Sequence, residues 1–277
     1  MIEGIKIFDA HMHHVGRFKS RDVSLIEFMN NYGIDKAVVT TVNQNANLNA
    51  IMKSGTTLDL NDYLDQYVAK EQYDHEQIKT LVNQYPDRLY GFFWFNPRIA
   101  DDDAWKLLEK YILEYKFKGI KTHHNIDFLK APRDYYQLAE FCVEHNVPLY
   151  IHSGSGFFFQ RPARVKDYYD LARKYKELKL IIGHAAFTME YCVNCVRFFA
   201  GDPNTPNVYF ETSVSIPFGI LSLIKAIGED RVVYGSDSPA ANPPDIEINK
   251  IMCLNLKKDI VQKVFYDNFN RLLGFDT

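Results

Sequence analysis

The sequence predicts a single-domain α/β protein that folds as a (β/α)8 barrel, also called a TIM barrel. Two observations lead to this prediction. The chain has 277 residues, close to the roughly 250 that one such barrel needs. Short runs rich in β-branched and aromatic residues recur along the chain, separated by helical patterns. The runs are continuously apolar, as expected for parallel strands that are buried on both faces.

The predicted strands follow one another at intervals that leave room for a helix between them. They are Ile5–Asp9, Lys36–Val42, Leu89–Phe95, Lys118–Thr122, Pro148–Ile151, Leu178–Gly183, Asn207–Thr212 and Arg231–Gly235. The intervening segments have helical periodicity; Asp103–Tyr115, for example, places apolar side chains at three- and four-residue spacing. Strands that alternate with helices imply parallel pairing. Eight repeats favour a closed barrel over an open doubly wound sheet.

The spacing of the strands is interrupted once, after the second one. Between Val42 and Leu89 the chain has more than forty residues, first polar and rich in asparagine, then helical in pattern over Leu60–Tyr85. We interpret residues 43–88 as an insertion in the loop after the second strand, because no linker composition marks a separate domain within residues 1–277. By topology this insertion lies over the barrel mouth, where it forms either a lid or a surface elaboration.

Composition and charge narrow the classes of function. Lysine and arginine number 32 and aspartate and glutamate 35, which gives a net charge of −3. A surface with this balance has no field that draws nucleic acid or an anionic membrane to it. The N-terminal segment has no apolar signal-peptide core, and Leu89–Phe95, the most apolar run, is too short to span a bilayer. We therefore expect a cytoplasmic protein with a small-molecule substrate, whose other possible partner is a second copy in a homodimer.

Histidines concentrate at the carboxyl ends of the predicted strands. His11 and His13 follow the first strand, His123 and His124 the fourth, His152 the fifth and His184 the sixth, and Asp237 follows the eighth. In a parallel barrel these ends open onto one mouth, so the side chains converge there. A single strand-end histidine is more often a satisfied polar residue than a ligand. Four such strand ends, with an aspartate on the last strand, point to a metal site.

The pattern suits one divalent transition metal. His11 and His13 lie two residues apart, so both side chains point to the same side of a strand and can bind one ion. His152 and Asp237 reach the same mouth from other strands. Three neutral imidazoles and one carboxylate suit zinc best, or less selectively manganese, iron or cobalt. Strand alternation points only one of the two fourth-strand histidines into the pocket.

Five strand-end motifs and a C-terminal segment resemble those of one family. They are HMH, GIKTHH, YIHSGSG, LIIGHAAF, VVYGSDSP and YDNFNRLLGF. In this order they resemble the amidohydrolase superfamily, most closely its amidohydrolase-related (amidohydrolase 2) branch of metal-dependent (β/α)8 barrels, over essentially the whole chain. GIKTHH stands where the related deoxyribonucleases have a GEIGLD-like stretch, so nuclease activity is not expected.

The resemblance implies a mononuclear site with His11, His13, His152 and Asp237 as ligands of one divalent ion. It also implies that Asp237 takes a proton from metal-bound water, which suits a carboxylate at short range. The residue at His184 would polarise substrate or hold an oxyanion, which suits an imidazolium.

Lys121 is the third candidate catalytic residue. Some superfamily members carbamylate a fourth-strand lysine to bridge two metals, but GIKTHH resembles the GIKLHP of the amidohydrolase 2 branch. We therefore expect one metal, with Lys121 as a contact of a substrate carboxylate or as a structural ion-pair partner. Further candidates for substrate binding are His123, Arg17 after the first strand, and Phe157 and Arg161 in the fifth loop. The loop residues either line the mouth or only anchor the loop and face solvent.

Three functions are compatible with these residues. The first choice is a metal-dependent hydrolase that uses a metal-activated water on an ester, lactone or amide bond of a small, carboxylated substrate, with Asp237, His184 and Lys121 as catalytic residues. The alternative is a non-oxidative, metal-dependent decarboxylase of an aromatic or unsaturated carboxylic acid, since the same branch hosts such lyases with the same ligands. The third is a barrel that binds ligands without catalysis.

Overall fold

The computed structural model of the chain describes residues 4–41, 73–127, 129–153 and 164–275. In this part of the chain eight parallel strands form one sheet in sequential order. They are β1 Phe8–His13, β2 Lys36–Thr40, β3 Leu89–Trp94, β4 Gly119–His123, β5 Leu149–His152, β6 Leu180–Gly183, β7 Val208–Glu211 and β8 Val232–Val233. The prediction of a single (β/α)8 barrel is confirmed.

Backbone contacts between β1 and the segment after β8 nearly close the sheet. Met12 pairs with Ser238 in a parallel bridge. The amide of Ala10 donates to the carbonyl of Tyr234 at 3.0 Å, and the amide of His13 donates to the carbonyl of Ser238 at 2.8 Å. The carboxyl ends of the first and last strands therefore lie side by side at the same mouth.

Helices alternate with the strands and cover the outside of the sheet. Within the described ranges they are α1 Leu25–Asn31, α2 His75–Gln84, α3 Asp102–Leu113, α4 Tyr136–Glu144, α5 Val165–Lys174, α6 Met189–Phe199, α7 Pro217–Ala226, α8 Pro244–Met252, α9 Lys258–Gln262 and α10 Asn268–Leu272. Side-chain caps begin four of them: Ser24, Asp74, Asp101 and Thr188 each accept a hydrogen bond from the amide three residues on. A π-helical segment, Lys263–Asp267, joins α9 to α10.

Part of the predicted insertion is visible. Residues 42–72 lie outside the described residues, so the insertion itself stays a prediction. The helix α2 lies within the stretch predicted to be helical and packs against β3. In the described part of the chain, no helix combines the length and the apolar character needed to cross a membrane.

Aromatic and aliphatic side chains fill the N-terminal half of the barrel. Phe8, at the start of β1, contacts the rings of Tyr90 and Phe269 with centroids 5.4 and 4.9 Å apart. We call the buried set around Phe8 the inner plug; it consists of Phe8, Ala10, Val38, Tyr90, Phe92, Tyr150, Ile181, Val233, Phe269 and Leu272. A second, larger core lies between the sheet and the helices. The plug ends where the polar side chains of the mouth begin.

Candidate metal centre and active site

A β-bulge in β1 turns His11 and His13 into the mouth. Ala10 belongs to the inner plug, and strict alternation would turn Met12 to the same side. The pairing with β2 shifts between Asp9 and Met12, where β1 advances three residues and β2 only two. Met12 accordingly packs in the outer core between sheet and helices. The extra residue thus reverses which side chains face inward, as bulges next to functional sites often do.

Asp237 lies at the centre of the mouth, within reach of three imidazoles. Its Oδ1 is 3.1 Å from His13 Nε2 and 3.6 Å from His11 Nε2, and its Oδ2 is 3.9 Å from His184 Nε2. His11, His13 and Asp237 offer donor atoms that all lie within 4.8 Å of one another. We call these three residues the donor triad. All of them are 9% exposed or less.

His152 joins this group through His184. The Nδ1 atom of His152 lies 2.9 Å from His184 Nε2, and the centroids of the two rings are 4.2 Å apart. On its other side the ring of His152 stacks on His123, with centroids 3.6 Å apart. The structure therefore brings five predicted histidines together with Asp237, although His152 is not among the atoms of the donor triad.

Lys121 is buried in the same place. Its ammonium nitrogen lies 3.0 Å from His11 Nε2 and 3.7 Å from the centroid of the Tyr150 ring. Burial lowers the pKa of Lys121 to about 7, against the opposing influence of Asp237 and Glu211. None of the ion pairs among the described residues includes Lys121, so no carboxylate there lies within ion-pair distance of it.

Backbone carbonyls determine which ring nitrogens carry hydrogen. Nδ1 of His13 lies 3.2 Å from the carbonyl oxygen of Thr41, and Nδ1 of His184 lies 3.1 Å from that of Ser213. A carbonyl oxygen can only accept a hydrogen bond. In the neutral rings both Nδ1 atoms therefore donate, and both Nε2 atoms are bare, that is, they carry no hydrogen. Bare Nε2 of His184 then accepts from His152 Nδ1, which leaves Nε2 of His152 bare as well.

Glu211, at the end of β7, determines the same tautomer for His11. Its buried carboxylate accepts hydrogen bonds from the hydroxyls of Tyr150 and Ser213, at 2.6 and 2.9 Å, and from the amides of Ser213 and His184. Because Tyr150 donates to Glu211, its oxygen accepts from His11 Nδ1, which is 2.9 Å away. His11 therefore also presents a bare Nε2 to the mouth. Such outer contacts are what orients metal-binding histidines.

Two glycines leave room for this arrangement. A methyl group at Gly183 would lie 2.4 Å from the Tyr150 hydroxyl, and one at Gly235 would lie 2.1 Å from a carboxylate oxygen of Glu211. Both distances are far below ordinary contact. Glycine at these two positions therefore lets Tyr150 and Glu211 reach the back of the imidazoles.

The donor set fits a divalent metal. Bare imidazole nitrogens and a carboxylate are the atoms that such ions bind, and the donor triad places three of them close together. His11, His184 and Glu211 form a second close group, but the hydroxyls of Tyr150 and Ser213 already hydrogen-bond to its members. That second group is therefore a hydrogen-bond network behind the candidate metal site.

Burial and charge agree with this assignment. Burial is the main cause that lowers the pKa of His11 and of His152 well below the usual imidazole value, and neighbouring cationic groups add to it. For Asp237, burial raises the pKa, but the interaction with His13 and nearby positive charges outweigh it, so the pKa lies below its usual value. His11 and His152 are thus neutral and Asp237 is ionised at neutral pH, as metal binding requires.

Two site residues have left-handed backbone. His184 has φ 57° and Asp237 has φ 54°, a region that residues other than glycine adopt at a cost. The amide of Asp237 donates to the His11 carbonyl at 2.8 Å, and the amide of Ala185 donates to the Glu211 carbonyl at 3.0 Å. These contacts with neighbouring strands hold both side chains toward the mouth.

Other predicted residues lie elsewhere. Arg17 is exposed in the loop after β1, and no hydrogen bond or ion pair within the described ranges links it to the donor triad. Phe157 and Arg161 lie outside the described residues. Glu211 and Tyr150 are site residues that were not predicted from the sequence. A usable signal existed for both: Glu211 ends a strand at the mouth like the histidines, and Tyr150 lies two residues before His152 on β5.

The fold recurs in several solved enzymes. One is 2,6-dihydroxybenzoate decarboxylase from Rhizobium, with a TM-score of 0.67 and 15% identity over 97% of this chain and 98% of that one. Another is 5-carboxyvanillate decarboxylase from Novosphingobium aromaticivorans, complexed with manganese and 4-hydroxy-3-methoxy-5-nitrobenzoic acid, with a TM-score of 0.63 and 16% identity over 98% and 96%. A third is 4-oxalomesaconate hydratase from Rhodopseudomonas palustris, with a TM-score of 0.65 and 18% identity over 96% and 95%. At these identities the likeness shows the fold.

Sequence comparison identifies the family. No curated protein sequence matches the chain. The amidohydrolase family model (amidohydrolase 2) matches residues 8–275, which include every strand of the barrel and the whole candidate site. This confirms the resemblance found in the strand-end motifs: the chain belongs to the amidohydrolase family.

Proposed function

We propose that the protein is a metal-dependent, non-oxidative carboxy-lyase that removes carbon dioxide from an aromatic or unsaturated carboxylic acid. The observation that carries this proposal is the position of Lys121, buried beside the donor triad and without a carboxylate partner of its own among the described residues. The Lys121 ammonium and a metal cation bound next to it would repel each other, unless an anion lies between them. A substrate carboxylate is the simplest such anion.

The ion would be held by His11, His13, His152 and Asp237. When bound, it supplies a Lewis acid that orients the oxygens of the substrate. Manganese is present in a structural neighbour, and zinc suits the same ligands. The tautomers described above support this assignment, because each of the three imidazoles turns a bare nitrogen toward the mouth.

Lys121 would bind and orient the carboxylate that is lost. A hydrogen bond to a charged group contributes about 1.5–3 kcal/mol. Burial strengthens the contact, and the approaching anion favours the charged form of the amine. The neighbouring Tyr150 ring, 3.7 Å away, keeps the lysine in place.

Decarboxylation then needs one proton at carbon. The bond between the substrate carbon and its carboxylate breaks, the electron pair stays on the carbon, and carbon dioxide leaves. The proton comes from water, because Asp237 is ionised and Nε2 of His184 carries no hydrogen. These two groups are placed to relay it to the carbon, since Asp237 Oδ2 and His184 Nε2 lie 3.9 Å apart at the mouth. No oxidant or reductant is required.

The hydrolase that the sequence favoured becomes the second candidate. The same donors would serve attack on an ester, lactone or amide, so hydrolysis stays a prediction. The lyase is preferred because two of the three neighbours described above are decarboxylases and the third is a hydratase. Lys121, which has no carboxylate partner among the described residues, also suits a substrate whose reacting group is itself an anion.

The test is a substrate panel with two readouts. Protein loaded with Mn2+ or Zn2+ is incubated with hydroxybenzoates and unsaturated diacids, and with lactones, esters and amides. Carbon dioxide and released protons are measured in parallel. We expect carbon dioxide from at least one acid. Proton release from esters, lactones or amides without carbon dioxide would support the hydrolase, and the absence of any turnover would support a non-catalytic barrel.

Lys121→Met tests directly whether Lys121 binds the substrate carboxylate. We expect it to weaken binding of the reactive acid about 10- to 100-fold, as the loss of a charged hydrogen bond predicts. Lys118→Met is the matched control, because Lys118 lies just before the opposite end of β4 and should leave binding unchanged. Equal affinity in wild type and Lys121→Met would remove Lys121 from substrate binding.

A further inference from the structure

His123 is held as a flat ring between two others at the end of β4. Its ring stacks on His152 on one side, with planes 17° apart, and on Trp94 of β3 on the other, with planes 11° apart and centroids separated by 5.8 Å. It lies two residues after Lys121, on the same side of the strand. The side chain is 6% exposed, so its plane is set by packing and it still borders the mouth.

The backbone after β4 determines the tautomer of His123. The amide of Ile126 donates to Nδ1 of His123 at 3.1 Å. An amide can only donate, so Nδ1 must be bare and the hydrogen of the neutral ring is on Nε2. A hydrogen on Nδ1 would place the N–H groups of His123 and Ile126 against each other. Nε2–H has no hydrogen-bond partner among the residues that the structure describes.

His123 therefore has the opposite tautomer from the other imidazoles of the mouth. His11, His13, His152 and His184 each carry hydrogen on Nδ1 and present a bare Nε2. In this state such atoms suit a metal or accept a proton, but they offer no hydrogen bond to a substrate. His123 alone among these five rings presents an N–H group.

Asp127 holds this arrangement in place. Its carboxylate is fully buried and accepts the His123 amide at 2.7 Å and the indole N–H of Trp94 at 3.1 and 3.2 Å. Its own amide donates to the His123 carbonyl at 2.9 Å. One carboxylate thus closes the turn that delivers the Ile126 amide and also holds the indole against which His123 stacks.

We propose that Nε2–H of His123 is the hydrogen-bond donor that recognises an oxygen of the bound acid, and that Asp127 is the positioning residue that keeps this donor in place. The inference rests on the proposed function for its ligand class, but the tautomer does not depend on it. The role keeps His123 apart from the metal ligands, in line with its place among the substrate-binding candidates predicted from the sequence.

The tautomer is tested on metal-free protein by long-range 1H–15N correlation spectra at pH 8. We expect His123 to show the Nε2–H pattern, whereas His13 and His184 show the Nδ1–H pattern. The assignment uses His123→Gln and single-site variants of the other two rings. An Nδ1–H pattern, or a charged ring, at His123 would overturn the inference whatever the reaction is.

Recognition is tested by calorimetry with Mn2+-loaded protein and three probes, benzoate, salicylate and 2,6-dihydroxybenzoate. His123→Phe keeps the ring stack but removes the donor, and we expect it to raise the Kd of the tightest probe about 3- to 10-fold. His123→Gln places an N–H near the position of Nε2 and should restore most of the affinity. His124→Phe is the control, because His124 borders Tyr168 and not the mouth.

Asp127→Asn asks whether Asp127 acts through His123. We expect the single variant to raise the Kd, and the double variant with His123→Phe to bind no more weakly than His123→Phe alone. Additive losses would overturn the positioning role. If the wild type binds none of the three acids, the proposed function and the recognition role fail together. If it binds them and His123→Phe leaves the Kd unchanged, only the role of His123 fails.

Discussion

The two halves of the barrel interior are built from the same strands but have opposite chemistry. The N-terminal half contains the inner plug, in which Phe8 contacts Tyr90 and Phe269. A few residues further along the same strand, His11 and His13 lie beside Asp237 at the mouth. Position along a strand, more than strand identity, therefore separates stability from function in this fold. Substitutions in the two halves should therefore have separable effects.

Asp237→Asn should give the largest effect on the mouth. The amide keeps the shape of the side chain but cannot serve as an anionic ligand or deliver a proton, so we expect kcat/KM to fall about a thousandfold or more. Metal content should fall too, while the thermal midpoint stays close to that of the metal-free wild type. Near-normal turnover would remove Asp237 from the mechanism.

Phe8→Ala should give the complementary effect on the plug. Removing a fully buried ring is expected to lower the free energy of unfolding by about 3–5 kcal/mol, measured by urea denaturation. Metal bound per folded chain should not change. If metal affinity fell as steeply as stability, the two halves of the barrel would not be independent.

Tyr150→Phe tests the boundary between the halves. The ring of Tyr150 belongs to the plug, while its hydroxyl links His11 to Glu211. Losing only the hydroxyl should weaken metal affinity about 10-fold or more, because His11 is no longer held in one tautomer. The fold should persist, as followed by circular dichroism. Unchanged metal affinity would show that His11 needs no such support.

Replacing His75 should give the smallest effect. This buried histidine lies outside the candidate site, so it shows what burial alone does to the pH dependence of stability. It lies on α2, outside the mouth, where its Nε2 accepts the Trp94 amide and its ring stacks on Phe93. Burial lowers the pKa of His75 to about 3. Between that value and about 6.5, the unfolded chain binds a proton that the folded chain does not, so stability falls as pH falls.

The matching experiment compares the wild type with His75→Gln. Between pH 7.5 and 5.5 the wild type should lose about 1.4 kcal/mol more unfolding free energy than the variant. Other histidines titrate in both proteins and cancel in the difference. If the unfolding free energies of the two proteins changed in parallel with pH, His75 would gain a proton in the folded state without cost.

Much of this organisation could be predicted because it depends on local pattern. Eight apolar runs separated by helical periodicity predict the barrel, and strand-end position predicts that His11, His152 and Asp237 converge. Boundaries were less accurate: the first strand was predicted as Ile5–Asp9, but β1 extends to His13 because the bulge continues its pairing.

The remaining features depend on contacts between distant strands. Nothing local to β7 shows that Glu211 reaches behind His11 through Tyr150, because the path exists only once β5, β6 and β7 pair and Gly183 and Gly235 leave the space. The tautomer of His123 depends likewise on a turn closed by Asp127, which is recognised only when Trp94 is placed beside it. Tertiary contacts, rather than residue type, determine these functions.

The extra residue in β1 makes the site depend on strand register as well as on residue type. Even pairing with β2 from Phe8 onward, with every residue kept, would shift the segment after Ala10 by one position. Both imidazoles would then turn toward the surrounding helices, and a thioether would enter the cavity in their place. A chain that retained every ligand could thus lose its ion through a change of register alone, so homologues should be compared by spacing before they are compared by identity.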